Sequence, residues 1–265
     1  MSPPERPDLR RPRGGIVALA LTVALICGLA LWHPWARTPP TSSASAGGTD
    51  AAASAPAPLA VPSGARVLIF GDSWTYGSAA SDPTLGYAYI IARDLEWDAT
   101  VDGVRGSGYL QRGLGGGTFA ERIAGLDPAL DPDLVIVEGS INDRRLPSTG
   151  YRAAVTAAWD ALEVLYPEAF IVILGPAPQV LPVEPATARI DGDLAALAAA
   201  RGWWYVSPLA EDWIHTGNYA SMIDTSAIGN NHPSTEGHAA LAHLLEDALA
   251  AMSPSSEVIA EAPLD

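Results

Sequence analysis

Between residues 62 and 252 five short apolar runs alternate with longer amphipathic stretches, and no other feature narrows the possible folds as much. The runs 66–70, 99–104, 134–138, 170–174 and 203–206 are mostly apolar and too short for helices, so they read as buried strands. Helical periodicity fills the intervals over 86–95, 119–126, 151–166 and 186–200, and an Ala/Leu-rich segment with acids runs over 235–251. Such alternation implies right-handed crossovers and a parallel sheet covered on both faces. The expected fold is an α/β domain, a three-layer α/β/α sandwich around a central parallel sheet of about five strands. Ligands of such sheets bind beyond the carboxyl ends of the strands, so the loops there are where chemistry belongs.

The chain ahead of this region has another character. Ile16 to Trp32 include no charged side chain, and with Gly14 and Gly15 the apolar stretch reaches 19 residues. A helix needs ~20 to cross a bilayer. Arg6, Arg10, Arg11 and Arg13 precede the stretch against Glu5 and Asp8, and Trp32 and Trp35 suit an interfacial belt beyond it. The positive-inside rule then makes 1–13 a basic cytoplasmic tail, 14–35 a single transmembrane anchor, and the rest extracytoplasmic. A cleaved signal peptide, which would leave the protein secreted, shares the charge order. Its apolar core is usually only ~7–15 residues and ends in a small-x-small site.

Residues 36–61 are almost all Ala, Pro, Ser, Thr and Gly and read as a tether, 62–252 as the folded domain, and 253–265 as an acidic tail. Cys27, within the apolar stretch, is the sole cysteine, so the domain has neither an intrachain disulfide nor a cysteine metal site. From Pro62 onward 10 Arg face 27 Asp plus Glu, a net of −17, and Lys is absent from the sequence. That balance argues against nucleic acid or anionic lipid as partners.

Four strand-end loops carry polar residues of chemical interest. The first run ends in Gly71-Asp72-Ser73-Trp74, a strand breaking into a tight turn and a helix start, where backbone N–H groups lack intrahelical partners. Taken alone, Asp72 and Ser73 read equally well as helix caps. Gly103-Val104-Arg105-Gly106-Ser107-Gly108-Tyr109 follows the second run, Glu138-Gly139-Ser140-Ile141-Asn142-Asp143 ends the third, and Asn231-His232-Pro233 stands before the last helix. A serine, a glycine turn, an asparagine and a histidine thus converge on one sheet edge. The stretch 113–117 is glycine-rich but lacks the lysine and spacing of a phosphate loop, and reads as a flexible loop near the site.

These residues resemble the SGNH, or GDSL, hydrolase family, in order and across the whole domain. The resemblance implies a flavodoxin-like α/β/α fold and a serine esterase with no metal or cofactor. It implies that Ser73 is the nucleophile and His232 the general base. Ser73, Gly106 and Asn142 would form the oxyanion hole. The residue types suit the chemistry: a serine hydroxyl needs a base to take its proton, and the tetrahedral intermediate needs hydrogen-bond donors. Gly108 is the rival to Gly106, and His238, inside the last helix, the rival to His232; His215 and His243 read as a loop and a helix-face histidine.

Two departures from the family pattern stand out. Ser140 occupies a position usually held by Gly, and Gly229 the place of the Asp that usually orients the base. Either Asp224 or a backbone carbonyl within 227–229 is left to hold the imidazole. Trp74, Tyr76, Tyr109, Trp213 and Tyr219 are candidates to line a pocket for a sugar or an acyl chain. The implied substrates are esters, small-molecule, glycan or lipid, with extracellular glycan O-acyl groups suiting an outward location. An O-acyltransferase using the same serine, or a catalytically silent carbohydrate-binding module on this fold, are the alternatives.

Overall fold

The computed structural model describes residues 55–253. The basic tail, the 14–35 anchor, the linker up to residue 54 and the tail beyond residue 253 lie outside the described residues. Among the described residues no helix is long and apolar enough to cross a membrane.

Five strands form one parallel sheet: β1 (Arg66–Gly71), β2 (Asp98–Gly103), β3 (Leu134–Glu138), β4 (Phe170–Leu174) and β5 (Trp204–Val206), in the order β2-β1-β3-β4-β5. The strands fall within a residue or so of their expected positions; for β1, β3 and β4 this is because near-continuous apolar runs are buried on both faces, whereas β2, at the sheet edge, is more polar and only partly buried. Helices α1 (Tyr87–Asp94), α2 (Phe119–Ile123), α3 (Tyr151–Leu165) and α4 (Pro185–Arg201) join them. A short α5 (Tyr219–Met222) and the two-residue strands β6 (Ile223–Asp224) and β7 (His232–Pro233) lead into α6 (Thr235–Ala251). These last small elements have no periodicity to betray them, and the sequence does not predict them.

Alternate residues of the central strands serve opposite layers. Val67, Ile69 and Ile136 pack with Ile91 of α1 and Leu245 of α6, whereas Phe70, Val137 and Ile173 pack with Trp159 of α3 and Leu194 of α4. Fully burying each such side chain contributes roughly 1.5–3 kcal/mol. The order places β1 and β3 side by side at the point where the chain's winding reverses, the usual ligand crevice of an open α/β sheet.

Two expectations need correction. No helix starts at Ser73. Tyr76 N–H donates to the Asp72 carbonyl at 3.0 Å and Ser78 N–H to the Ser73 carbonyl at 3.0 Å, but Gly77 (φ 84°) and Ala79 (φ 69°) turn left-handed and end the turn at once. The folded part also begins ahead of residue 62, since Leu59 is buried, its N–H meets the Met252 carbonyl at 2.9 Å, and Trp204 Nε1 donates to the Ala57 carbonyl at 2.8 Å.

Candidate active site

Ser73, just past β1, and His232, which opens β7, meet at the carboxyl end of the sheet. Ser73 Oγ lies 2.9 Å from His232 Nε2, and His232 Nδ1 lies 2.9 Å from the Gly229 carbonyl oxygen. A carbonyl only accepts, so Nδ1 carries the hydrogen and Nε2 presents its lone pair to the serine hydroxyl. The turn that offers the carbonyl is closed by His232 N–H to the same oxygen at 3.0 Å and by Asn231 N–H to the Asp224 carbonyl at 3.0 Å. Burial holds the imidazole below its usual range, and the charges of Arg105 and Arg144 act in the same direction; the bonds to the 229–230 backbone oppose them. At neutral pH the ring is therefore an uncharged acceptor.

Of the two candidates for orienting His232, the backbone carbonyl is the one in place. Asp224 pairs across the small ladder with His232, but its carboxylate accepts from Ser226 N–H at 2.9 Å, and among the described residues nothing bonds it to the imidazole. It also sets the identity of position 229: a Cβ on Gly229 would stand 2.1 Å from Asp224 Cγ. Asp224 thus fills the space that a side chain at 229 would need.

In the loop after β2, Gly106 adopts φ 76° in a turn closed by Ser107 N–H to the Val104 carbonyl at 3.2 Å. The backbone N–H groups of Ser73 and Gly106 have no partner among the described residues, and both residues line the same cleft of about 710 Å³. Gly108 is set apart because its N–H is taken by the Gln111 carbonyl at 2.9 Å. Asn142 also lines the cleft, but its Nδ2 donates to Asp72 Oδ2 and to the Ser107 carbonyl, each at 2.9 Å, so both amide hydrogens are engaged.

The sequence profile of the GDSL-like lipase/acylhydrolase family matches residues 69–240, which span all of these groups. The chain belongs to this family. It is accordingly a serine hydrolase acting on esters. No curated protein sequence matches it. Similar solved structures include a putative lipolytic protein of the G-D-S-L family from Desulfitobacterium hafniense DCB-2, at 15% identity and a TM-score of 0.56, covering 68% of this chain and 97% of that one. The aryl esterase of M. smegmatis matches at 16% identity and 0.53, covering 70% and 98%. A family two carbohydrate esterase from Cellvibrio japonicus matches at 21% and 0.53, covering 73% of this chain and 62% of that one. At these identities the likeness is one of fold.

Beneath the site of this GDSL-like domain lies a layer of buried polar groups that the sequence reading missed. Asp72 is fully buried; its Oδ1 accepts from Trp74 N–H at 2.9 Å and stands 3.4 Å from Ser73 Oγ. The expected cap is thus a turn clasp made by Asp72, while Ser73 faces His232. Glu138, at the end of β3, accepts from Asp72 N–H at 3.1 Å and Thr75 Oγ1 at 2.9 Å. Burial raises Asp72 to about 6 and drives Glu138 well above the usual carboxylate range, the Asp72 charge adding to the latter. Asp143 accepts from Tyr109, Leu110 and Gln111 N–H groups, at 2.8, 3.0 and 2.8 Å, and joins the third loop to the second. Arg122 of α2, nearly buried, donates to the Gly71 carbonyl at 2.7 Å and Asp102 Oδ1 at 3.0 Å and lies 4.0 Å over Phe70. The available signal was a charged residue closing an apolar strand, as Asp72 and Glu138 do.

His238 is buried, with Nδ1 accepting from Tyr87 N–H at 3.2 Å and Nε2 donating to the Ser78 carbonyl at 3.0 Å, and it takes no place in the cleft. Trp74, Tyr109 and Trp213 belong to the core rather than to the cleft wall, and Tyr219 donates to the Gln179 carbonyl at 2.6 Å. Of the five candidate aromatics Tyr76 alone lines the cleft, with the Arg105 guanidinium 4.9 Å over its ring. From the glycine-rich loop, Leu114 lines the cleft and its N–H meets the Arg105 carbonyl at 2.8 Å.

Proposed function

We propose that the domain hydrolyses carboxylic esters through an acyl-enzyme on Ser73, with His232 as general base and then general acid. The observation that carries this reading is the chain from Ser73 Oγ through His232 to the Gly229 carbonyl, two contacts of 2.9 Å with one consistent tautomer. His232 Nε2 takes the hydroxyl proton as Oγ attacks the ester carbon, and returns it to the leaving alkoxide. Water repeats the sequence to free the carboxylic acid. The N–H groups of Ser73 and Gly106 receive the oxyanion. Asn142 anchors the Gly106 turn and reaches the oxyanion by exchanging one of its present acceptors. A carbonyl in place of a carboxylate stabilises the imidazolium less, which makes for modest turnover.

Glycan O-acyl esters suit the broad, open and largely polar cleft, and the fold is shared with a carbohydrate esterase and with a two-domain esterase active on acetylated mannans. The charge order around residues 14–35 favours display of the domain outside the cell on a membrane anchor. Treatment of the full chain with a fluorophosphonate probe tests the mechanism: labelling that Ser73→Ala abolishes is expected. Labelling that survives the substitution, or none in the unaltered chain, would overturn it.

A further inference from the structure

The cleft carries a charge opposite to that of the chain. Of the ten arginines among the described residues, eight form ion pairs with carboxylates, as expected where Asp and Glu outnumber Lys and Arg by 30 to 15. The two that form none among the described residues, Arg105 and Arg145, both line the catalytic cleft. Arg144 lines it as well, its side chain 7% exposed and fixed by Glu184 at 2.7 Å and Gln179 Oε1 at 2.7 Å. Among the described residues no aspartate or glutamate lines this cleft.

Elsewhere among the described residues the arginines meet acidic partners; here two guanidinium groups are left open to solvent beside Gly106 and Asn142. A positive cleft on a strongly negative body focuses its field inward, drawing anions to the place where neutral solutes gain nothing. Guanidinium groups bind carboxylate and phosphate in a fixed fork, more tightly than neutral donors do. Arg105 is further steadied by its position over Tyr76.

We infer that the ester cleaved here bears a negatively charged group, a carboxylate or phosphate, which Arg105 and Arg145 bind while the ester carbonyl lies at Ser73. This inference rests on the esterase reading and adds a substrate class to it. The charge can belong to the acyl part, as in a dicarboxylic half-ester, or to the alcohol part, as in an acetylated uronic acid.

The test uses the full chain and two matched pairs: 4-nitrophenyl hemisuccinate against 4-nitrophenyl butyrate, and an O-acetylated uronic acid against its uncharged methyl ester. The expected result is a kcat/KM ratio of about tenfold or more in favour of the anionic member of one pair, which also tells which part holds the charge. Arg105→Gln and Arg145→Gln should each cut that ratio about tenfold, mainly through the KM of the anionic ester, and high salt should do the same. Arg112→Gln, which removes an equal charge from the exposed pair with Glu121, should leave the ratio unchanged. No preference in either pair, or a preference that survives both cleft substitutions, overturns the inference. Hydrolysis of the neutral esters that depends on Ser73 would then leave the esterase reading standing, whereas absence of hydrolysis and of fluorophosphonate labelling would remove both.

Discussion

Two histidines close together in the sequence, His232 and His238, use both ring nitrogens and reach the same turn, yet they do different work. His232 meets Ser73 Oγ at one end of that turn, and His238 meets the Ser78 carbonyl at the other. The serine hydroxyl has a proton to give and faces a cleft; the carbonyl has none, and His238 is sealed between Tyr87 and the turn. On the proposed mechanism an imidazole is thus a base or a brace according to its partner and its access to solvent, and burial lowers the pKa of both rings.

The comparison breaks most visibly if both are removed in turn. His232→Ala should lower turnover on the order of 10⁴-fold and leave the melting temperature nearly unchanged, because its ring is only part-buried and its partners keep others, Ser73 Oγ the Asp72 carboxylate and the Gly229 carbonyl the backbone N–H of residue 232. His238→Ala strands the Tyr87 N–H and Ser78 carbonyl and opens a cavity, a cost of about 3 kcal/mol or roughly 6–12 °C in melting temperature. Its activity below that temperature should persist. Esterase rates alongside thermal melts decide the matter; a folded but inactive His238→Ala enzyme would show that the brace also positions the chemistry.

Acid should separate the two rings next. His238 is pushed down to about 4 in the folded state, against 6.5 when exposed. As pH falls the unfolded chain takes this proton first, so the stability present above pH 6.5 is lost progressively towards pH 4. The loss amounts to about 3 kcal/mol. Asp72 acts the other way: its folded value of about 6 exceeds the ordinary 3.8, so the folded state gains relative stability as pH falls between them. Urea denaturation isolates the histidine, since the advantage of the unaltered chain over His238→Gln should shrink by about 3 kcal/mol between pH 6.5 and 4. Parallel curves would refute the assignment.

The smallest effect is expected at Asp224. Because the Gly229 carbonyl holds the imidazole and the Asp224 carboxylate is spent on Ser226, Asp224→Asn should change kcat/KM by no more than about twofold. A loss of a hundredfold would mean that Asp224 swings to His232 during turnover and that the family's carboxylate has only moved along the chain.

Strands, main helices and the order Ser73, Gly106, Asn142, His232 are legible in the sequence because each rests on short-range chemistry: apolar runs, turn glycines and a histidine ahead of a proline. The helix expected at Ser73 fails because two left-handed residues, Gly77 and Ala79, outweigh the cap-like Asp72-Ser73 pair. The aromatic wall fails for another reason. A loop Trp or Tyr has the same local signature whether it turns inward or outward, and the core claims Trp74, Tyr109 and Trp213. The buried layer of Asp72, Glu138 and Asp143 escapes because charged residues at strand ends look solvated until their partners are known.

The amino-acid sequence by itself determined the α/β architecture, the edge at which chemistry gathers and the family, since periodicity and motif order are properties of neighbouring residues. Tertiary structure alone decided which group meets His232 Nδ1, which amide hydrogens at the cleft lack a partner among the described residues, and that the two arginines without an ion pair among those residues open on the same cleft. Those facts depend on contacts between residues as far apart as Ser73 and His232, 159 positions along the chain, which meet at 2.9 Å in a way that no local pattern encodes.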